Sequence, residues 1–332
     1  MKVKKKIEKI ETIIFTYNRA ILLDAVLESI YKNFQNKPDI IHIIYQWSKE
    51  HERSYDILKD KWKNNNINFI QRNENFNLTY KLKYLLRPLN WLWYLRWPVM
   101  VKDNGNFKYI LEKIISNSNN QYITFVPDDQ IFYKETLVPY EALNLLKEDD
   151  RNFFRFFCST CFEDEHFFND KIKHKNYNCD EVEFLSWSLK DKNAAASWIY
   201  NFTIEATVYN KNTLSKFLRP MYYHNPITLE AIGLWEARFR DYFNFGMTTK
   251  KRSAAGYQAN NVQQLVKNRC AFYDPDILMR AYIDGYVMHL NEKDFPEKDF
   301  QIIPQNLILK NSQSNELISF SEYIKLKNLQ SV

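Results

Sequence analysis

Two adjacent aspartates, Asp128 and Asp129, interrupt the apolar run "ITFVPDDQIF" at residues 123–132. Neighbouring carboxylates repel each other, and burying them without a partner is costly. Either they form an ordinary solvated turn, which Asp favours, or something positive sits on them. A hard divalent cation, Mg²⁺ or Mn²⁺, suits such a pair and would in turn neutralise phosphates of a substrate. Further groups that could do chemistry are Thr16-Tyr17-Asn18-Arg19 in "IIFTYNRA", Gln46 and Ser48 in "IIYQWSKE", and Glu230 and Glu236 in "PITLEAIGLWE". His289 in "DGYVMHLNE" and the basic run Lys250, Lys251, Arg252 complete the set. Each has a plain structural alternative: a helix N-terminus favours a first-turn glutamate such as Glu230, a lone histidine usually serves packing, and a basic run is usually solvated.

The elements that must position these residues are legible from periodicity. "ETIIFTYNRA" reads as a short buried strand, "AILLDAVLESIYKNF" has apolar residues at helical spacing, and "IIHIIYQW" is a second strand. "ERSYDILKDKWKNN" is expected to be helical and "INFIQRN" a third strand, an alternation that predicts parallel strands joined by crossover helices. A helix over "NFKYILEKIISNSN" leads into strand "YITFV" and the aspartate pair. "DRNFFRFFCST", "DEVEFLSWSL" and "AAASWIYNFTIEATVYN" supply further strand-like material, with a short helix at "NTLSKFLRPM" and an amphipathic one at "PITLEAIGLWEARFRDYF". In an open sheet of this kind ligands bind beyond the carboxyl ends of the strands, where Thr16–Arg19, Gln46–Ser48 and Asp128-Asp129 all fall.

Composition bounds the function. The 332 residues carry a formal charge of +6, too small and dispersed to point to nucleic acid. Four cysteines make no disulfide framework, which predicts a reducing, cytoplasmic setting. Cys158 and Cys161, even with Cys179 and His166 or His174, lack the second close pair of a zinc motif, so core thiols are expected. There are only five glycines and none in the first hundred residues, so no glycine-rich phosphate loop or dinucleotide fingerprint exists there. A nucleotide would have to be held by side chains and metal.

The string "IIFTYNRAILLDAVLESIYKNF", followed by "IIHIIY" and "YITFVPDDQIF", resembles the nucleotide-sugar half of GT-A glycosyltransferases over residues 10–135. The resemblance implies an α/β fold with an open, mostly parallel sheet flanked by helices. It divides the chain into a nucleotide-sugar-binding half (1–135), an acceptor-binding half (136–290) and a C-terminal tail (291–332), whose polar composition after Asp294 predicts a peripheral position. The implied activity is transfer of a hexosyl-type sugar from a nucleotide-diphosphate donor to a hydroxyl of a glycan or lipid-linked acceptor, as in bacterial surface polysaccharide or lipooligosaccharide synthesis. Carried over by position, Thr16, Tyr17 and Arg19 line the base and ribose, with Gln46 or Ser48 replacing the usual acid after the second strand. Asp129 coordinates Mn²⁺ or Mg²⁺, Asp128 contacts ribose or metal, and His289 is a third metal ligand. Glu230 is the acceptor base with Glu236 in reserve. Lys250 and Arg252 reach the diphosphate from a loop hinged at Gly256, with the 260–264 segment ordering behind it. "PDDQ" stands where the family usually has Asp-x-Asp.

The stretch "LTYKLKYLLRPLNWLWYLRWPVMV" at residues 78–101 interleaves cations with aromatic and aliphatic residues. Such a mixture suits either the interface of a membrane or an insertion that packs its rings on the core and extends its cations to water. Packing is preferred, and peripheral contact with the inner membrane face stays open. Two rival functions also remain: a nucleotidyltransferase, and a non-catalytic sugar- or membrane-binding protein.

Overall fold

The computed structural model describes residues 7–72, 84, 86–96, 106–158, 173–178, 182–191, 198, 200–262, 269–299 and 301–328. The strands are β1 (Ile10–Tyr17), β2 (Ile41–Gln46), β3 (Ile67–Gln71), β4 (Tyr122–Pro127), β5 (Gln130–Phe132), β6 (Phe153–Arg155), β7 (His174–Tyr177) and β8 (Phe184–Ser188). They continue with β9 (Thr207–Asn210), β10 (Phe245–Thr249), β11 (Ala254–Tyr257), β12 (Tyr286–Met288), β13 (Gln301–Ile302), β14 (Ile308–Asn311) and β15 (Leu317–Ser319). The helices are α1 (Ala20–Asn33), α2 (Glu52–Lys61), α3 (Pro88–Arg96), α4 (Asn106–Asn117), α5 (Tyr140–Glu148), α6 (Lys211–Leu218), α7 (Pro226–Phe239), α8 (Pro275–Ile283) and α9 (Phe320–Leu326).

Nine strands form one sheet in the order β3-β2-β1-β4-β9-β6-β10-β8-β7. β3, β2, β1 and β4 are parallel, as their crossover helices require. β9 is antiparallel to both β4 and β6, β10 is parallel to β6, and β8 is antiparallel to β10 and β7. The sheet is thus the open, mostly co-directional α/β sheet expected. Its central parallel strands β1, β2 and β4 are almost wholly buried on both faces, which accounts for their near-continuous apolar runs. Along β1, Ile14 joins the cluster containing Leu23, Val26 and Val126, while Ile13 and Phe15 join Phe107, Leu111 and Phe125 in a second cluster.

Three features of the second half differ from expectation. The residues after Asp294 are not peripheral: β13 pairs with β11, β14 with β12, and Leu307, Leu309, Phe320 and Tyr323 are buried in the first cluster. Gly256 is no hinge, because it lies inside β11, opposite Gln130 of β5. In "AAASWIYNFTIEATVYN" only Thr207–Asn210 forms a described strand.

α7 begins with a capping box between Asn225 and Thr228 and has Pro226 in its first turn, a combination that fixes where the helix starts. It lies close against the segment before β9. A Cβ added at Gly233 would stand 2.3 Å from the Phe202 ring, which is fully buried and packed on Tyr209 and Phe217. The ring has no room to yield. Gly233→Ala is therefore expected to cost about 1–3 kcal/mol by overpacking. Urea denaturation would register this as a lower midpoint with an unchanged slope.

Candidate active site

β4 and β6 end, and β9 begins, at the same edge of the sheet. Thr207 is paired with Phe125 on one side and Arg155 on the other. The residues just before β9 consequently face those just after β4, at the carboxyl edge where open α/β sheets take ligands.

The positive partner of the aspartate pair is Arg19. Its Nη1 donates to Asp128 Oδ1 at 2.9 Å and to Asp129 Oδ2 at 3.0 Å, and its Nε donates to Asn260 Oδ1 at 2.9 Å. Nη2 donates to the Asn260 carbonyl. Burial works against the guanidinium charge, but Asp128 and Asp129 outweigh it and hold Arg19 protonated. The turn that delivers Arg19 depends on Asn18, at φ +53°, a left-handed conformation that Asn tolerates. The Asn18 amide donates to Ser48 Oγ at 3.2 Å and accepts from the Ser48 N–H at 2.8 Å, so Ser48 braces the turn. Thr16 and the Arg19 N–H share the buried Tyr55 hydroxyl at 2.9 and 3.2 Å. Tyr17 donates its N–H to Asp128 Oδ2 at 3.3 Å and leaves its ring 41% exposed at the mouth, beside half-buried Gln46.

Asp129 lies between β4 and β5, and its carbonyl accepts from the Tyr257 N–H at 2.7 Å. This bond, with the β5–β11 pairing, draws residues 258–260 alongside Arg19. Burial, opposed by Arg19 and reinforced by Asp128, raises the Asp129 carboxyl to about 6.

A second acidic group meets the first across the sheet edge. Glu230, in the second turn of α7 and not the first, accepts from Thr203 Oγ1 and from the Ile204 N–H at 3.3 Å. Burial raises its carboxyl, and these two donors oppose the shift. Glu205 feels Glu230 and Asp129 in addition to its own burial, and is pushed up to about 8. Ala206, at φ +32°, turns the chain between Glu205 and β9. The buried Arg155 guanidinium opposes these shifts and donates to the Tyr200 carbonyl.

Thr16, Tyr17, Arg19, Asp128, Asp129 and Glu230 are thus gathered at one edge, and Gln46 and Ser48 adjoin it. The others lie elsewhere. Glu236, six residues after Glu230 and so about 240° round the helix, is fully buried in ion pairs with Arg87 at 2.7 Å and Arg240 at 3.2 Å. Lys250 meets Glu183 at the surface at 3.0 Å. Arg252 packs over Tyr133 at the far end of the β5–β11 pair and donates to the Pro296 carbonyl. His289 lines a groove with Ser29, Asn33 and Phe132, towards the end of α1 remote from Arg19. Cys158 is a buried free thiol, and Cys161, Cys179 and His166 lie outside the described residues.

Glu205 and Arg155 escaped the sequence reading. The available signal was a lone charged residue in an otherwise apolar or aromatic run, "FTIEATV" and "FFRFF", which is costly unless partnered.

Asp128 has both oxygens engaged, by Arg19 and Tyr17, whereas Asp129 is a hard oxygen donor only partly neutralised. Among the described residues no three His, Cys, Asp or Glu side chains gather as a metal site. A divalent cation would therefore fit here on Asp129 together with substrate oxygens, the manner in which Mg²⁺ is commonly held.

No protein-family model and no curated protein matches the chain. Among solved structures it is similar to S. aureus TarS 1-349, at 15% identity and a TM-score of 0.41, over 74% of this chain and 59% of that one. The TarS 1-349 complexes with UDP and with UDP-GlcNAc align at 14% identity each, with TM-scores of 0.40 and 0.39, over 72% of this chain and 60% and 58% of theirs. The chain spans about three fifths of the length of these structures.

Two outcomes follow from the charge balance. Arg19→Met leaves two buried carboxylates without their cation and is expected to cost about 3–5 kcal/mol at pH 8. The loss should be smaller at pH 5, where Asp129 is protonated. Glu205, raised from 4.5 to about 8, holds a proton in the folded chain that the unfolded chain has released. Its contribution is present below pH 4.5 and lost as pH rises through about 8. Stability measured by urea denaturation should accordingly fall between pH 5 and pH 8, and Glu205→Gln should flatten that fall.

Proposed function

We propose that the chain is a glycosyltransferase of the GT-A type, moving a sugar from a nucleotide-diphosphate donor to a hydroxyl of a glycan or lipid-linked acceptor. The observation that carries this reading is that Glu205, just before β9, feels both Asp129, from the end of β4, and Glu230, from α7, at one edge of the sheet. On this reading Asp129 serves the donor and Glu230 the acceptor. They are a hundred residues apart in the chain and serve no common structural bond.

Thr16, Tyr17 and Gln46 form the side where the nucleoside would lie, with the exposed Tyr17 ring as its wall. Arg19 does not reach out to the base. It holds Asp128 and Asp129 in place, so that Asp129 presents a fixed oxygen towards the diphosphate. Mg²⁺ or Mn²⁺ bound there with the donor would neutralise the charge that grows on the diphosphate as the sugar leaves. Glu230 would be the base that takes the acceptor hydroxyl proton: burial raises its carboxyl, which makes it a better proton acceptor than a free carboxylate, and Thr203 and the Ile204 N–H hold it in place. Glu205 remains protonated near neutral pH and stands beside it without adding a second negative charge.

The test pairs binding with turnover. Thermal stability is measured with UDP, GDP, CMP and dTDP, each with and without Mn²⁺. One nucleotide at a hundredfold excess over its dissociation constant should stabilise the chain by about 2.7 kcal/mol. With the donor so identified, Glu230→Gln should lower transfer by about 10²–10⁴-fold while keeping the nucleotide-induced shift. Asp129→Asn should remove the metal-dependent part of that shift. A chain that responds to no nucleotide, or a Glu230→Gln variant with unchanged turnover, would overturn the proposal.

A further inference from the structure

Within the basic–aromatic stretch the described residues Pro88–Arg96 form a helix with two faces. In α3 the inner face carries Asn90, Trp93 and Tyr94, all buried. Tyr94 stacks on Tyr222 with ring centroids 5.5 Å apart, and Trp93 meets Trp235 edge-on at 5.2 Å. The outer face carries Trp91, Leu92 and Leu95, which are 53%, 54% and 79% exposed, and Leu86 precedes it at 85%. The apolar surface continues past Trp235 to Phe239, stacked on it at 5.0 Å and itself 64% exposed. Large aliphatic and indole side chains in contiguous exposure mark a surface that is covered in use.

Charge identifies the cover. From residue 79 to residue 102 the chain carries Lys81, Lys83, Arg87, Arg96 and Lys102 and no carboxylate. Arg96 ends α3 and exposed Arg238 stands beside Phe239 on α7. A short helix with tryptophan and leucine on its outer face, in a stretch whose charged residues are all cations, of which Arg87 is taken up by Glu236, matches the headgroup boundary of an anionic bilayer. Among the described residues no helix is long and apolar enough to cross a membrane, so the contact would be one of lying on the surface.

We propose that the outer face of α3, with Leu86 and Phe239, is a peripheral docking surface for anionic lipid bilayers, in which Trp91, Leu92 and Leu95 enter the headgroup boundary. This surface is independent of the donor reading, since none of its residues belongs to the carboxylate site.

The full chain is mixed with vesicles of phosphatidylcholine alone and of phosphatidylcholine with 30% phosphatidylglycerol, and the bound fraction is measured by flotation. Binding is expected to the anionic vesicles at least tenfold above the neutral ones, and to weaken as salt is raised from about 0.1 to 0.5 M, where screening shortens from roughly 10 Å to a few ångström. Leu92→Glu with Leu95→Glu should reduce vesicle binding at least tenfold with an unchanged thermal midpoint and unchanged nucleotide response, because both side chains are exposed. Equal binding to both vesicle types, or a double variant that binds like the parent, overturns the proposal. So does a concentration-dependent dimer in sedimentation that the double variant abolishes, which would assign the face to a second copy of the chain. Loss of nucleotide response in the parent chain with vesicle binding intact would count against the transferase reading alone.

Discussion

A single guanidinium holds the edge of this sheet together. Arg19 is nine-tenths buried, and it binds Asp128, Asp129 and Asn260 with one side chain. Those residues come from the end of β4 and from the segment after β11, while Arg19 itself comes from the turn after β1. Without a cation at that point the adjacent carboxylates could not both be ionised inside the protein. Burial raises the Asp129 carboxyl, and one guanidinium shared between two carboxylates does not offset it, which leaves Asp129 suited to a further positive ligand. The left-handed Asn18, the Ser48 brace and the Tyr55 hydroxyl are all devices for delivering Arg19 at that spot.

The first half of the fold was legible because its signals are local. Apolar spacing marks α1, alternation and short apolar runs mark β1, β2, β3 and β4, and parallel pairing follows from the helices between them. The aspartate pair could be flagged for the same reason, as an electrostatic conflict visible in two letters. Its partner could not, since Arg19 and Asp128 are 109 positions apart and only the closed sheet brings them together. Glu205 was hidden in a run that reads as strand, and its surroundings exist only once β9 has entered between β4 and β6. The tail looked peripheral by composition. It is buried through a handful of residues, such as Leu307 and Tyr323, whose partners lie far back in the chain.

The abundance of aromatic residues also acquires a reason. Several cations lie on rings: buried Lys108 is 4.6 Å from both Tyr84 and Tyr223, buried Arg155 is 4.3 Å from Phe153, and half-buried Arg240 lies 4.8 Å from Phe217. A ring face offers a charge some of what water would give, and for Lys108 and Arg240 it adds to the carboxylates of Glu112 and Glu236. The carboxylates at the sheet edge are left comparatively under-neutralised. Charge is therefore distributed unevenly, with cations softened in the interior and acids concentrated where the strands end.

The place of β9 has a consequence for how the chain is made. Until residues 207–210 emerge, β4 has no neighbour on that side, and the all-parallel half presents an open strand edge. β6 is synthesised before β9 yet cannot join β4 without it. The sheet closes only when a late segment enters its middle, a non-local pairing of the kind that slows folding and leaves nascent edges exposed to other chains. Strands from before and after residue 135 therefore belong to one sheet. The nascent first half must wait, shielded, for a strand some eighty residues further on.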